Sequence, residues 1–96
     1  MDIDVIFISR PGCGICMMMQ PAWERIMAEK MDWHYFHYNL GVDTVATKII
    51  GDFPNNDGKL PMFCVYKDAK PIGSISGGHK YKDIIKAIEE LIDVCK

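Results

Sequence analysis

The chain has 96 residues, of which 49% are hydrophobic and 25% charged, and its formal net charge is −2. This is the make-up of one globular domain spanning residues 1–96, long enough to bury roughly 60–70% of its unfolded surface. The mildly acidic balance gives no reason to expect nucleic acid or an anionic membrane as partner, and no apolar run approaches the ~18 residues that a membrane-spanning helix needs.

The opening Met1-Asp2-Ile3-Asp4 is acidic and lacks a basic leader pattern, so it reads as the approach to a strand rather than as a secretory signal. Ile3 to Ser9 follows as that strand. Val5-Ile6-Phe7-Ile8 is apolar on both faces, as in an interior strand of a covered sheet. Arg10-Pro11-Gly12 makes a turn, and a helical pattern then runs from about Gly14 to Lys30. Pro21 lies inside it and removes one backbone donor, which predicts a kink. Asp32 to Leu40 carries Trp33, Tyr35, Phe36 and Tyr38 and reads as a second strand, because aromatic residues favour the pleated sheet. A short helix over Val42 to Ile50 starts at Asp43-Thr44 and stops at Gly51.

The stretch Asp52 to Gly58 is rich in turn residues. Pro61 to Lys67 is a third strand, Lys67 to Lys70 a hairpin connection, and Pro71 to Ser76 a fourth strand whose initial proline suits a sheet edge. After Gly77-Gly78 the last helix runs from about His79 to Cys95. Tyr81, Ile84, Ile85, Ile88, Leu91 and Ile92 form its apolar stripe, with Lys82, Asp83, Lys86, Glu89 and Glu90 outside it. The element order is β-α-β-α-β-β-α, which predicts an α/β fold: a mixed four-stranded sheet with helices on both faces.

Four cysteines are too few and too scattered for a disulfide framework, which places the protein in a reducing cytoplasm. Cys13-Gly14-Ile15-Cys16 is different in kind. It sits where a strand turns into a helix, and a helix start presents unpaired N–H groups and partial positive charge. A thiol at that point ionises more easily than a free one, and the thiolate is the nucleophile. Cys16, Met19, Trp23, Ile26 and Met27 recur at helical spacing, so Cys16 lies on the inward stripe while Cys13 stays at the cap. Cys13 is the attacking thiol and Cys16, one turn further in, the resolving thiol of a two-step disulfide exchange. A structural zinc site would need a second close pair of ligands, and Cys64, His79 and Cys95 do not supply one. Cys64 and Cys95 read as small buried hydrophobes. His34 and His37 are three apart on a strand and point to opposite faces, so they form no metal pair. Of Met17-Met18-Met19 only Met19 shares the inward stripe; the other two lie on the surface beside the cysteines.

In these features the chain resembles the thioredoxin-like superfamily of disulfide oxidoreductases. The resemblance rests on Cys13-Gly14-Ile15-Cys16 after an apolar strand and Pro21 five residues past the second cysteine. It extends to Lys59-Leu60-Pro61-Met62-Phe63, which looks like that family's cis-proline loop, and to Gly77-Gly78 before the final helix. It implies the minimal thioredoxin-like fold, in which Cys13 and Cys16 are catalytic and Leu60, Pro61, Gly77 and Gly12 receive the substrate. Gly14, Ile15 and Pro21 are supporting residues. The backbone before Pro61 would pair with an extended substrate chain, and Gly77 would leave room for it. The implied partners are protein disulfides and a reductase; a monomer is the default expectation. The implied cofactor is none beyond the Cys13–Cys16 disulfide, with electrons from NADPH through a thioredoxin reductase or from glutathione.

The chain departs from the family's patterns at several points. Gly12 stands where thioredoxins usually have Trp, Gly14-Ile15 where they have Gly-Pro, and Phe7 where they carry a buried Asp proposed to relay a proton, so that water is left to carry the Cys16 proton. Glutaredoxins typically have Pro-Tyr between the cysteines and Thr-Val before the cis-proline. The chain also opens directly at the strand before the cysteines, as in glutaredoxins, and the Gly-Gly turn with His79-Lys80 suits a glutathione carboxylate. A glutathione-dependent, glutaredoxin-like enzyme is therefore the first alternative. A non-catalytic module of the same fold that binds a metal, an iron–sulfur cluster or a partner is the second.

Overall fold

The structure, a computed structural model, describes residues 1–94. Its elements in chain order are β1 (Ile3–Ser9), α1 (Gly14–Met18), α2 (Gln20–Glu29), β2 (His34–Asn39), α3 (Thr44–Gly51), β3 (Met62–Lys67), β4 (Lys70–Ser76) and α4 (Tyr81–Val94). The four strands form one sheet in the order β2-β1-β3-β4. β1 pairs in parallel with β2 and antiparallel with β3, and β3 pairs antiparallel with β4. The apolar run in β1 is thus an inner strand and β4, with Pro71, an edge. The alternation of β1 divides the core in two. Ile3, Val5 and Phe7 face Met19, Trp23 and Ile26 together with Ile84 and Ile88 of α4. Ile6 and Ile8 face Ala46 and Ile49 of α3, along with Phe53, Met62 and Cys64. Helices cover both faces, as the pattern of elements predicts.

The first face is the heavier. Phe7 lies between His37 on β2 and Phe63 on β3. Its ring stacks on Trp23 at 5.1 Å and meets Phe63 at 5.1 Å. Such pairs contribute about 0.5–1.5 kcal/mol each beyond the area they bury. All six residues of the predicted stripe on α4 pack into this cluster.

One local feature differs from the sequence reading and two add to it. The helix expected over residues 14–30 is two helices, divided at Met19. Pro21 occupies the first turn of α2, where its missing N–H costs nothing, so the chain breaks there rather than kinking. The Asp68-Ala69 turn between β3 and β4 holds both residues at positive φ, 51° and 68°. That is the twist a two-residue hairpin requires, and Asp2 fastens it with an N–H to Asp68 Oδ1 (2.9 Å) and a carbonyl that accepts from Asp68 N–H (2.8 Å). Gly73 in β4 has no place for a side chain: a Cβ there would lie 2.5 Å from Leu91 Cδ2. α4 therefore settles directly on the strand backbone. Elsewhere the boundaries move by one or two residues. Gly51 ends inside α3, Trp33 precedes β2, and α4 begins at Tyr81 after His79 and Lys80. No helix among the described residues is long and apolar enough to cross a membrane.

Candidate active site

β1 delivers the chain to Arg10, and the turn that follows sets up the cysteines. Gly12 has φ +80°, a region open to glycine without strain. Cys13 N–H closes that turn on Arg10 carbonyl at 3.1 Å. Cys13 is then the N-cap of α1, in extended backbone, and its Sγ accepts the N–H of Cys16 at 3.2 Å. A capping position whose acceptor is sulfur favours negative charge on that sulfur once the thiol is free. Cys13 is half-buried, whereas Cys16 is 4% exposed. The two are joined by a disulfide with Cα atoms 5.2 Å apart. The helix places one sulfur at the surface and its partner beneath, as the spacing predicts.

Two distant segments close around this pair. The Leu60–Pro61 peptide bond is cis, and Pro61 is fully buried. Leu60 stands just ahead of β3, outside the strand ladder, so pairing within the sheet does not take up its backbone groups. Gly77 N–H donates to Pro61 carbonyl at 2.9 Å, which fastens the end of β4 to the proline loop. Gly77 has φ +84°, and a Cβ there would meet nothing within 4 Å. Its place in the turn is set by backbone conformation, and a side chain would project into open space. A Cβ on Gly78 would touch Ile15 Cγ2 at 3.4 Å, so the turn before α4 runs alongside the residues between the cysteines. Gly14 is exposed and unconstrained by neighbours. Pro21 lies outside the site and acts on it through the helix break.

The result is an open groove of about 930 Å³ that brings Gly12, Cys13, Gly14 and Ile15 together with Leu60 and Gly77. It also contains residues to which the sequence reading gave no role in the site: Arg10, Asp57, Lys59 and Ser76. Asp57 Oδ1 accepts the N–H of Lys59 at 3.1 Å. This bond, with help from the Ser76 side chain and the Lys59 charge, holds the Asp57 carboxyl below the usual carboxylate range. His79 also borders the groove, and its Nε2 donates to Ser76 carbonyl at 2.8 Å. The only signal for these residues was position: Arg10 is three before the first cysteine, and Lys59 two before the proline.

Ile15 in the groove wall is 52% exposed, and Met17 and Met18 of α1 are 72% and 79% exposed, while Met19 is buried. Beneath it, Phe7 is wholly buried in the aromatic cluster. His37 leans on the Phe7 ring at 4.8 Å and shares a 2.7 Å hydrogen bond with Ser9 Oγ, yet like His34 it stays largely exposed. Burial lowers the His37 pKa from its ordinary 6.5, with Asp43 pulling the other way. Cys64 is buried in mid-strand, and burial, reinforced by Asp52, pushes its thiol up to about 12. Cys95 lies outside the described residues. Among the described residues no three His, Cys, Asp or Glu side chains come together as a metal-binding group.

No family model matches this chain, and no curated protein sequence does. Solved structures do. The mitochondrial thioredoxin 3 of Saccharomyces cerevisiae, in its oxidised form, superposes with a TM-score of 0.78 at 25% identity, over 93% of this chain and 78% of its own. Fasciola hepatica thioredoxin gives 0.77 at 18% identity, over 93% and 80%. Thioredoxin f2, solved in complex with ferredoxin:thioredoxin reductase, gives 0.75 at 22% identity, over 93% and 76%. The chain therefore has the thioredoxin-like fold. With a Cys-x-x-Cys disulfide at the head of its first helix, it is a thiol–disulfide oxidoreductase of the thioredoxin dithiol type.

Proposed function

We propose that the chain reduces protein disulfides through Cys13 and Cys16. The carrying observation is the contrast within the pair: the Cys13 sulfur caps a helix in an open groove, and Cys16 is buried one turn away. The Cys13 thiolate attacks one sulfur of a substrate disulfide. A Cys13–substrate bond forms, the substrate bond breaks, and the departing sulfur leaves as a thiolate that takes a proton from water. Cys16 then loses its proton and attacks the Cys13 sulfur. The second substrate sulfur departs, and the two electrons the substrate gained leave a Cys13–Cys16 disulfide behind. Phe7 offers no acceptor for the Cys16 proton, so water carries it away. Leu60 and Pro61 receive the substrate chain as an added strand segment, with its half-cystine over Cys13. Gly12 and Gly77, neither of which puts a side chain in the way, leave the approach clear. Gly14 and Ile15 set the separation of the cysteines, and Pro21 ends their helix at Met19.

In this reading the protein is a cytoplasmic monomer without a bound cofactor, and NADPH resets it through a thioredoxin reductase. The second reading, reset by glutathione, draws on the Gly77-Gly78 turn beside Ile15. One experiment separates them. The oxidised protein is offered thioredoxin reductase with NADPH and, in parallel, glutathione with glutathione reductase, using Cys13→Ser and Cys16→Ser as controls. Reduction by the first system alone, lost in both variants, supports the thioredoxin reading. Reduction by glutathione, with activity kept in Cys16→Ser, supports the glutaredoxin reading. Failure of both leaves the binding-module alternative.

A further inference from the structure

The charges around Cys13 do not follow the charge of the chain. The whole sequence has a formal net charge of −2. Arg10, Lys59 and Asp57 line the groove beside Cys13 and leave it at +1 with His79 neutral. The ion pairs among the described residues are Arg25–Glu29 and Lys30–Glu89, both away from the groove, so no salt bridge holds Arg10 or Lys59, although the Lys59 charge does act on the Asp57 carboxylate. The one acid in the wall is engaged locally: the Asp57 carboxylate accepts the Lys59 N–H and is held by Ser76.

From this we infer that the groove selects disulfides carried on acidic peptide segments, with Glu or Asp flanking the substrate half-cystine and placed against Arg10 and Lys59. The inference rests on the exchange reading above and narrows its substrate class. The physical basis is twofold. A basic groove in an otherwise acidic surface draws anionic segments in and repels cationic ones before any bond is exchanged. An extended peptide passing Leu60 also puts the residues next to its half-cystine in the groove that Arg10 and Lys59 share with Cys13. Both cations are exposed, so the preference is modest and sensitive to salt.

The test uses the full chain in its reduced state and three oxidants. Two are cyclic disulfide peptides of one sequence, with Glu at both flanking positions in one and Lys in the other; the third is the neutral hydroxyethyl disulfide. The rate of oxidation is followed by stopped-flow tryptophan fluorescence at low and high ionic strength. The Glu peptide is expected to react about three- to tenfold faster than the Lys peptide at low salt, with the two converging at high salt. In the Arg10→Gln, Lys59→Gln double variant the ratio should fall towards one. The ratio cancels any change in Cys13 reactivity, because both peptides meet the same thiolate. Equal rates in the unmodified protein, a preference for the Lys peptide, or a Glu preference that survives in the double variant would each overturn the inference while leaving exchange intact. If none of the three oxidants reacts, the exchange reading itself fails, and the charge preference with it.

Discussion

Cys13 and Cys64 are the same residue in opposite circumstances. Cys13 caps a helix, accepts an N–H at 3.2 Å and borders a groove open to solvent. Cys64 sits in an inner strand opposite Ile6, wholly buried, with its thiol pushed up to about 12. A thiol moved from 9.0 to about 12 is about a thousandfold less ionised at neutral pH. Reactivity in this chain is a property of address. A helix cap stabilises the thiolate, a sheet interior withholds it, and the cysteine side chain contributes the same chemistry to both.

The sharpest way to break the comparison is to remove each sulfur in turn. Cys13→Ser should abolish disulfide exchange altogether, read as loss of turnover with either reducing system. Cys16→Ser should keep the first attack and accumulate a mixed disulfide on Cys13, visible by intact mass. Labelling gives the next largest effect. Under native reducing conditions iodoacetamide should modify Cys13 at least about a thousandfold faster than Cys64, by peptide mapping. Comparable rates would mean that burial does not protect the β3 thiol.

Gly73→Val tests whether loosening α4, on the sheet face opposite Cys64, exposes that thiol through global opening. It forces a side chain into Leu91 and should cost about 1–3 kcal/mol in urea unfolding, raising Cys64 labelling as the open state becomes more populated. Cys64→Ala should cost only about 1 kcal/mol and leave the exchange rate unchanged. A drop in rate would give Cys64 a part in the chemistry. The smallest effect belongs to His37. Its native pKa lies below the unfolded 6.5 because partial desolvation of this largely exposed ring favours the neutral form, against the opposing pull of Asp43. The associated stability is present in full above pH 6.5 and is lost as the pH falls through the lower native value. His37→Gln should flatten that slope in urea midpoints taken between pH 7.5 and 5.

The order of elements was legible because each announces itself locally. The apolar run of Val5 to Ile8 requires a strand covered on both faces, and the six-residue stripe from Tyr81 to Ile92 permits only one buried face. The cysteine pair was legible for the same reason, since cap and buried turn follow from a spacing of three. What stayed hidden depends on distant partners. Nothing around Gly73 reveals that Leu91, eighteen residues on, will lie against its backbone. Alanine is a poor residue for positive φ, so the Asp68-Ala69 turn is dictated by the strands it joins and by Asp2 rather than by its own composition. Arg10 and Lys59 become neighbours in one groove only once the proline loop folds back beside the cysteines. The Pro21 break was half legible: the lost donor was evident, but whether the helix bends or restarts depends on how well Met19 and Trp23 seat in the core.

The clamp between Asp2 and Asp68 also decides how the molecule can be handled. β1 runs from this clamp to the cysteines, and its seven residues span roughly 20 Å. A tag, a linker or a surface tether joined ahead of Met1 therefore emerges at the pole opposite the groove. A protein immobilised through that end presents Cys13 outward, whereas an attachment that pulls Asp2 away would peel the hairpin turn from the sheet before disturbing the cysteines.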